Sequence, residues 1–498
     1  MKGRQTAYLV LLLFAVTFAL FGNTFRNGWT YDDIPVVVEN ADTHSLEGFL
    51  RNTSPGRPLR ELSYMVDYRL FGERPAGYHV QQLLWHGANG ALIYLLLLEL
   101  GATGLPALAG ALLFLAHPLQ VESVASVGHR KELLALFFAL LSTFLYIRAL
   151  AASGTARIGR LALSVAAFGL AVLGNETAAV LPLALAVYER LLAPGNRRML
   201  LTRPWLLPAA ISVAVVAVVV SHPWLFSAER LQQFYAKNGL PPTSEYWPLL
   251  NGALRVYLFY LGKLVWPLDL GLEYAIPLSR ELIQPLALVG GCALLASLTL
   301  VFLLGRRAPV AAFGLGWFLV FYLPVSSFLP ISYLAADRYM YLPLAGLALL
   351  VAGLLPRNPG KVATGLFCLL LLLLSSVTVR QNGVWFDEHT LWRHAAQVSP
   401  DSSYANESAA YSYLLNGDLE KARPLAEAAV RLNPLNAKAF LVLAQIEEGR
   451  GDLQAALQNY ELFVKSGVRS HPALVEQVAP RLPELRLRVR QLDQLRKG

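Results

Sequence analysis

Between Thr6 and residue 379 the chain is dominated by apolar runs, each close to the length of a membrane crossing. A bilayer core takes about 20 apolar helical residues, and only helices or closed barrels satisfy their own backbone inside it. The runs cover residues 6–25, 78–100, 105–120, 131–150, 160–174, 177–192, 204–225, 285–305, 309–328, 339–356 and 361–379. Only 15% of residues are charged and mean hydropathy is +0.46, which excludes a purely soluble enzyme. The pattern predicts an all-α, polytopic membrane domain of about eleven spans.

Charge placement orients these spans. The first run follows Lys2 and Arg4, lacks a small-residue cleavage site, and reads as a retained helix with its N-terminus inside. Alternating the runs then puts Arg148, Arg157, Arg160, Arg197, Arg198, Arg306, Arg307, Arg357 and Lys361 on the cytoplasmic side. Counting residues 247–266 as a further crossing would send Arg306 and Arg307 outside, and Arg255 and Lys263 interrupt that stretch. It is expected as an in-plane or re-entrant helix on the outer face.

The formal charge of +9 is a topology signal and not a nucleic-acid patch, because residues 381–498 carry 14 basic and 14 acidic side chains. Cys292 and Cys368 both lie in apolar runs, so neither a disulfide framework nor a Cys-ligated metal site is expected.

Two domains are predicted, 1–380 in the membrane and 381–498 beyond it on the extracytoplasmic side. In the second, Pro400 and Pro434, Gly417 and Gly451, Asp418 and Asp452, and Ala422 and Ala456 are each 34 residues apart. That is the tetratricopeptide period, and it predicts an α-solenoid that binds a polypeptide. A plain helical spacer is the competing reading.

Polar residues cluster in the predicted outer loops. Asp32 and Asp33 follow the first span; one member of such a pair can act as a general base, and an Asp-rich turn capping the next element is the alternative. Arg57 and Arg60 come next. His79 and His86 stand two helical turns apart, about 10 Å, too far to share one ion readily. They are expected to line a polar cavity or satisfy buried hydrogen bonds. His117, Glu122, His129, Arg130, Lys131 and Glu132 sit between the third and fourth spans. Basic residues on an outer loop suit an anion such as phosphate, or else snorkel to lipid headgroups. Asn175 and Glu176 occupy a short turn, and Asp337 and Arg338 lead into the tenth span.

In order along the chain stand "YDD", "YHVQQLLWH", "HPLQVESVASVGHRKELLALFFALLSTFLY", "ADRYMYLPLAG" and "VWFDEHTLWRHAAQVSPDSSYANESA". This series resembles the transmembrane and tetratricopeptide-repeat-containing O-mannosyltransferases and their bacterial relatives, within the C-type membrane glycosyltransferases. The resemblance implies an inverting transferase of the bacterial inner membrane, or of the endoplasmic reticulum in a eukaryote. Its site would face outward and take a polyprenyl-phosphate sugar from the bilayer, with a protein or glycan as acceptor. Asp32 or Asp33 would be the base, while Arg130 with Lys131, and Arg338, would contact the lipid phosphate. The chain departs from the family at Asn175–Glu176, where relatives commonly carry Lys-Glu.

No cofactor is required for that chemistry, and the sequence leaves divalent metal open. Two other function classes stand beside the transferase: a non-catalytic receptor or assembly factor displaying the repeats, and a transporter, which would need deep polar residues on both sides of the membrane.

Overall fold

The computed structural model describes residues 2–51, 57–203, 245–282, 284–331, 333–468 and 470–497, with the single residues 206, 209, 232, 234 and 235. Every described element is helical. The bundle contains α1 (Lys2–Phe21), α2 (Leu46–Arg51), α3 (Pro58–Phe71), α4 (Pro75–Glu99), α5 (Gly104–Ala116), α6 (Val121–Ala125) and α7 (Arg130–Leu150). It continues through α8 (Gly154–Gly174), α9 (Leu181–Leu191), α10 (Trp247–Val265), α11 (Pro285–Gly305), α12 (Pro309–Tyr322), α13 (Tyr341–Leu354) and α14 (Lys361–Asn382).

Ten of the expected runs carry a helix, and all but two residues of the run 204–225 lie outside the described residues. Five described helical segments are each long and apolar enough to cross a bilayer alone: Arg4–Arg26, Val127–Leu150, Gly154–Gly174, Pro285–Gly305 and Lys361–Trp385. A sixth arises if Gly104–Ala116 and Pro118–Ala125, bent by 54°, form one broken span. Of the remaining runs, 78–100 gives the 25-residue α4, which carries His79, Gln82, His86 and Asn89, and the others give shorter helices joined to 3-10 turns such as Leu323–Val325 and Asp337–Met340.

α4 is the polar spine of the bundle. His79, Gln82, His86 and Asn89 recur on one face and are all buried. Gln82 donates to the carbonyls of Ser123 (3.2 Å) and Ser126 (2.8 Å), while Asn89 donates to Leu133 O (3.0 Å) and the Tyr341 hydroxyl (3.1 Å). His86 Nδ1 meets the same hydroxyl at 2.8 Å. Paired in this way, Gln82, His86 and Asn89 can sit inside an apolar bundle. α12 and α13 pack backbone to backbone, since a Cβ on Gly314 would lie 2.3 Å from Leu350 N and one on Gly346 2.5 Å from Gly314 O. The faces of α11 and α14 turned away from the bundle are apolar, with Leu288, Leu295, Leu366 and Leu372 exposed, as lipid-facing surfaces are. The protein is a multi-pass membrane protein.

α10 packs on α11, where a Cβ on Gly290 would lie 2.0 Å from Leu254 O. Gly252 lies against Leu278 and Leu334, Tyr260 donates to Ala336 O (2.9 Å), and His117 Nε2 meets Leu264 O (3.2 Å). Tyr257 reaches Ser297 of α11 at 2.7 Å.

After α14 come α15 (Glu388–Val398), α16 (Ser403–Leu415), α17 (Leu419–Leu432), α18 (Ala437–Arg450), α19 (Leu453–Gly467), α20 (Pro472–Val478) and α21 (Leu482–Lys497). The 34-residue period is visible in the helix caps. Ser402 and Asn436 cap α16 and α18, and Asp418 and Asp452 cap α17 and α19, each through a side-chain oxygen. Gly417 and Gly451 take the left-handed turn before the second helix of each pair, at φ 76 and 83.

This segment is not hung on a free tether. Trp385, Leu391, Trp392, Ala395, Ala405 and Ala409 belong to the same apolar core as the bundle. Separate clusters begin beyond, one around Ala410, Ala422 and Ile446, the other around Tyr460, Phe463 and Leu482.

Candidate active site

The polar segments expected from sequence meet at one end of the bundle, and α15 and α16 form a wall beside them. At the centre are the two adjacent aspartates, which face opposite ways. Asp33 is fully buried and accepts from Gly128 N (2.6 Å), Ser126 Oγ (2.9 Å) and Thr30 N (3.1 Å). Burial pushes its carboxyl up to about 7, against the pull of those donors. It pins the loop onto the turn before α7. Gly128 permits this approach, because a Cβ there would lie 3.0 Å from Asp32 C and Cβ.

Asp32 instead keeps 37% of its side chain exposed and has Oδ2 3.4 Å from His129 Nε2. Partial burial raises its carboxyl, but His129, Arg338 and Lys131 outweigh that and hold it well below the usual carboxylate range. It is therefore ionised at neutral pH. Tyr31, just before it, adopts φ 51, a left-handed backbone that a tyrosine takes only when its surroundings impose it.

Cations ring the exposed carboxylate. Arg338 is buried against Glu122, which accepts from both its backbone N (2.7 Å) and its guanidinium, and it lies over the Tyr333 and Tyr339 rings at 5.0 and 5.2 Å. Arg57 grips Glu176 with two parallel bonds of 2.7 and 3.1 Å, each partner about one fifth exposed. Burial raises the Glu176 carboxyl, but Arg57 outweighs it and brings it down to about 2. Lys131, 14% exposed, pairs loosely with Glu132 at 3.6 Å. Tyr31, Tyr333, Trp392 and Tyr404 make an aromatic wall: Tyr31 meets Tyr333 through their hydroxyls (2.8 Å), and Trp392 packs edge-on to Tyr31 and Tyr404.

Other residues singled out from sequence lie elsewhere or serve the scaffold. Arg130 is fully buried and turned away from Asp32: it pairs with Asp67, donates to Gln82 Oε1 (2.8 Å), Tyr78 O (3.1 Å) and Ser63 Oγ (3.4 Å), and stacks on Tyr64 at 4.9 Å. Expected from sequence at the lipid phosphate, it here has no exposed surface. His79 is buried one turn below, and His86 is bonded to Tyr341 in the core. His117 caps the turn that follows it by accepting from Leu119 N (3.3 Å), and Asn175 caps Thr177 N (3.1 Å). Arg60 is buried 3.9 Å from Glu61, and Asp337 accepts from the Tyr274 hydroxyl (2.6 Å). Among the described residues no three His, Cys, Asp or Glu side chains are grouped to hold a metal ion.

Sequence reasoning missed Asp67, the partner of Arg130, and the aromatic wall. The wall was foreshadowed by the aromatic residues of "TLWRH" and "DSSYANES", which neither helix pattern nor repeat period required.

Fold and site define a helical membrane protein with one polar end built from charge pairs around an exposed carboxylate. Residues 64–224 match the family model of dolichyl-phosphate-mannose-protein mannosyltransferases. Human protein O-mannosyl-transferase TMTC3 is 24% identical over 79% of this chain and 48% of its own length. Mouse protein O-mannosyl-transferase TMTC4 is 26% identical over 77% of this chain and 61% of its own. The chain thus spans about half to three fifths of the length of these relatives. ArnT from Cupriavidus metallidurans, solved bound to undecaprenyl phosphate, shows a slight likeness, with TM-score 0.41 and 16% identity over 91% of this chain and 79% of that one. Motif order and sequence relatives agree in the similarity of this chain to the TMTC proteins.

Proposed function

We propose that the protein is an inverting glycosyltransferase that moves mannose from a polyprenyl-phosphate donor to a protein Ser or Thr hydroxyl on the extracytoplasmic side. The observation that carries this reading is the exposed, ionised Asp32 surrounded by Arg338, Lys131 and Arg57. The names of its relatives supply the sugar and the class of donor and acceptor.

In the reaction the acceptor oxygen attacks the anomeric carbon from the face opposite the phosphate. The carbon–phosphate oxygen bond breaks, the lipid phosphate departs with the bonding pair, and the acceptor proton passes to Asp32. Arg338 and Lys131, with Arg57 at the rim, stabilise the charge gathering on the phosphate. Their engagement also loosens their hold on Asp32. Cations neutralised by phosphate no longer depress the carboxyl, so Asp32 becomes a stronger base when donor is bound. Asp33 keeps the loop in place, and the repeats hold a polypeptide acceptor nearby.

The test is purified protein with dolichyl-phosphate mannose and a Ser/Thr-rich peptide, scored by lipid-phosphate release and peptide mass. Release that depends on peptide and on Asp32 supports the reading. A rate no greater than that of Asp32→Asn sinks it and favours a receptor that displays the repeats.

A further inference from the structure

The motif "VWFDEHTLW" lies past the last apolar helix, yet it and Asn382, at the end of α14, make three contacts with the loop that carries Asp32. Gly28 N donates to Phe386 O at 2.9 Å, and Asn27 Nδ2 reaches Asn382 O at 3.3 Å. The third contact is the informative one. Glu388, at the first turn of α15, accepts the Tyr31 N–H with one carboxylate oxygen and the Trp392 indole N–H with the other. Trp392 then packs edge-on against the Tyr31 ring, with centroids 5.7 Å apart.

Tyr31 is where the backbone is strained, at φ 51, and Asp32 is the next residue. A left-handed tyrosine is strained and persists only where its neighbours over-determine it. Asp33 fixes the chain on the far side of Asp32 through Ser126 and Gly128. On the near side the N–H of Tyr31 is held by a carboxylate from another part of the chain, and the side chains clamp it from above. Asp387 sets α15 in place for this by capping Thr390 N at 2.7 Å.

We propose that Glu388 is a positioning residue for the transfer reaction: it clamps Tyr31 in its left-handed conformation and so aims the Asp32 carboxylate, making the first helix after the membrane domain part of the catalytic apparatus. This rests on Asp32 being the base. Removing the clamp lets Tyr31 relax toward an ordinary backbone, which swings Asp32 away from the acceptor without touching the cations that bind donor. The loss therefore falls on kcat and leaves donor KM alone.

The experiment compares wild type, Glu388→Ala and Glu388→Gln in the full-length chain, using dolichyl-phosphate mannose and the Ser/Thr peptide. Hydrogen exchange is followed in the peptide containing Tyr31. Gln keeps one oxygen for the Tyr31 N–H. Expected are a fall in kcat of about tenfold or more for Glu388→Ala, donor KM within about twofold, recovery of most of kcat in Glu388→Gln, and faster exchange at Tyr31 only in the Ala variant. A Glu388→Ala protein with wild-type kcat and exchange overturns the proposal. So does an equal loss in both variants with lowered melting temperature, the mark of a general structural role. If wild type itself does not turn over, the reading of function fails, and the exchange comparison alone decides the clamp.

Discussion

Asp32 and Asp33 are neighbours in sequence but occupy opposite environments: Asp32 lies 3.4 Å from His129 with a third of its side chain open, while Asp33 is enclosed by Ser126, Gly128 and Thr30. Asp32→Asn is expected to lower transfer by about a hundredfold to ten-thousandfold, the range for loss of a general base, with an unchanged melting temperature. Asp33→Asn is expected to keep residual transfer but to melt earlier, since an amide cannot accept from all three donors; the cost is about 1–3 kcal/mol. Equal turnover in the two variants would remove the division of labour.

Asp33 also makes stability depend on pH. Its carboxyl is raised on folding, to about 7, so the folded state holds a proton that the unfolded chain has released. Stability from this group is complete below the ordinary carboxylate range and is lost as pH climbs through about 7. Melting curves from pH 5 to 8 should show wild type losing stability relative to Asp33→Asn. A constant difference would mean that the carboxyl is already ionised.

Lys131→Ala is expected to raise donor KM about ten- to a hundredfold with little change in melting, because its ion pair with Glu132 is loose. Arg338→Ala should weaken donor use as much and also destabilise the protein, by leaving Glu122 buried without its partner. Adding Glu122→Gln should restore melting but not donor use. Recovery of both would make Arg338 a structural cation only.

Arg130→Ala should act differently from either. Its guanidinium is consumed by Asp67, Gln82 and Tyr78, so the expected effect is a loss of about 3–5 kcal/mol in stability, with normal donor KM in whatever folds. Thermal unfolding and donor titration of the same preparation separate the two. A raised KM at unchanged melting would return Arg130 to the donor site.

Arg130 and Lys131 also show how far the sequence was legible. Both are basic residues at the start of an apolar helix, and nothing local says that one turns inward to an acid on α3 while the other stays near the rim. That is decided by helix rotation against α3 and α4, a long-range property. The 34-residue period, by contrast, was readable because caps and left-handed glycines are local requirements. The polar clusters were legible because each interrupts or flanks an apolar run. Tyr31 was invisible, since its backbone is imposed by Glu388 more than three hundred residues away in sequence.

The shared core sets where the repeats can be cut. α15 and α16 bury Leu391, Trp392, Ala395, Ala405 and Ala409 in the bundle, so removing 382–498 should expose that core, free the Tyr31 loop and abolish all activity. Ending the chain after Asn436 removes only α18 to α21, whose main cluster around Tyr460 and Phe463 is separate, and exposes chiefly the small faces of Ala410, Ala422 and Ala426. The shorter deletion is therefore expected to preserve donor hydrolysis and transfer to a short peptide. It should impair transfer to a large protein acceptor, whose local concentration the lost helices would have raised. Rates with both acceptors, together with donor hydrolysis, distinguish docking from scaffolding. Equal loss in all three reactions would show that α18 to α21 stabilise the enzyme and do not hold its acceptor.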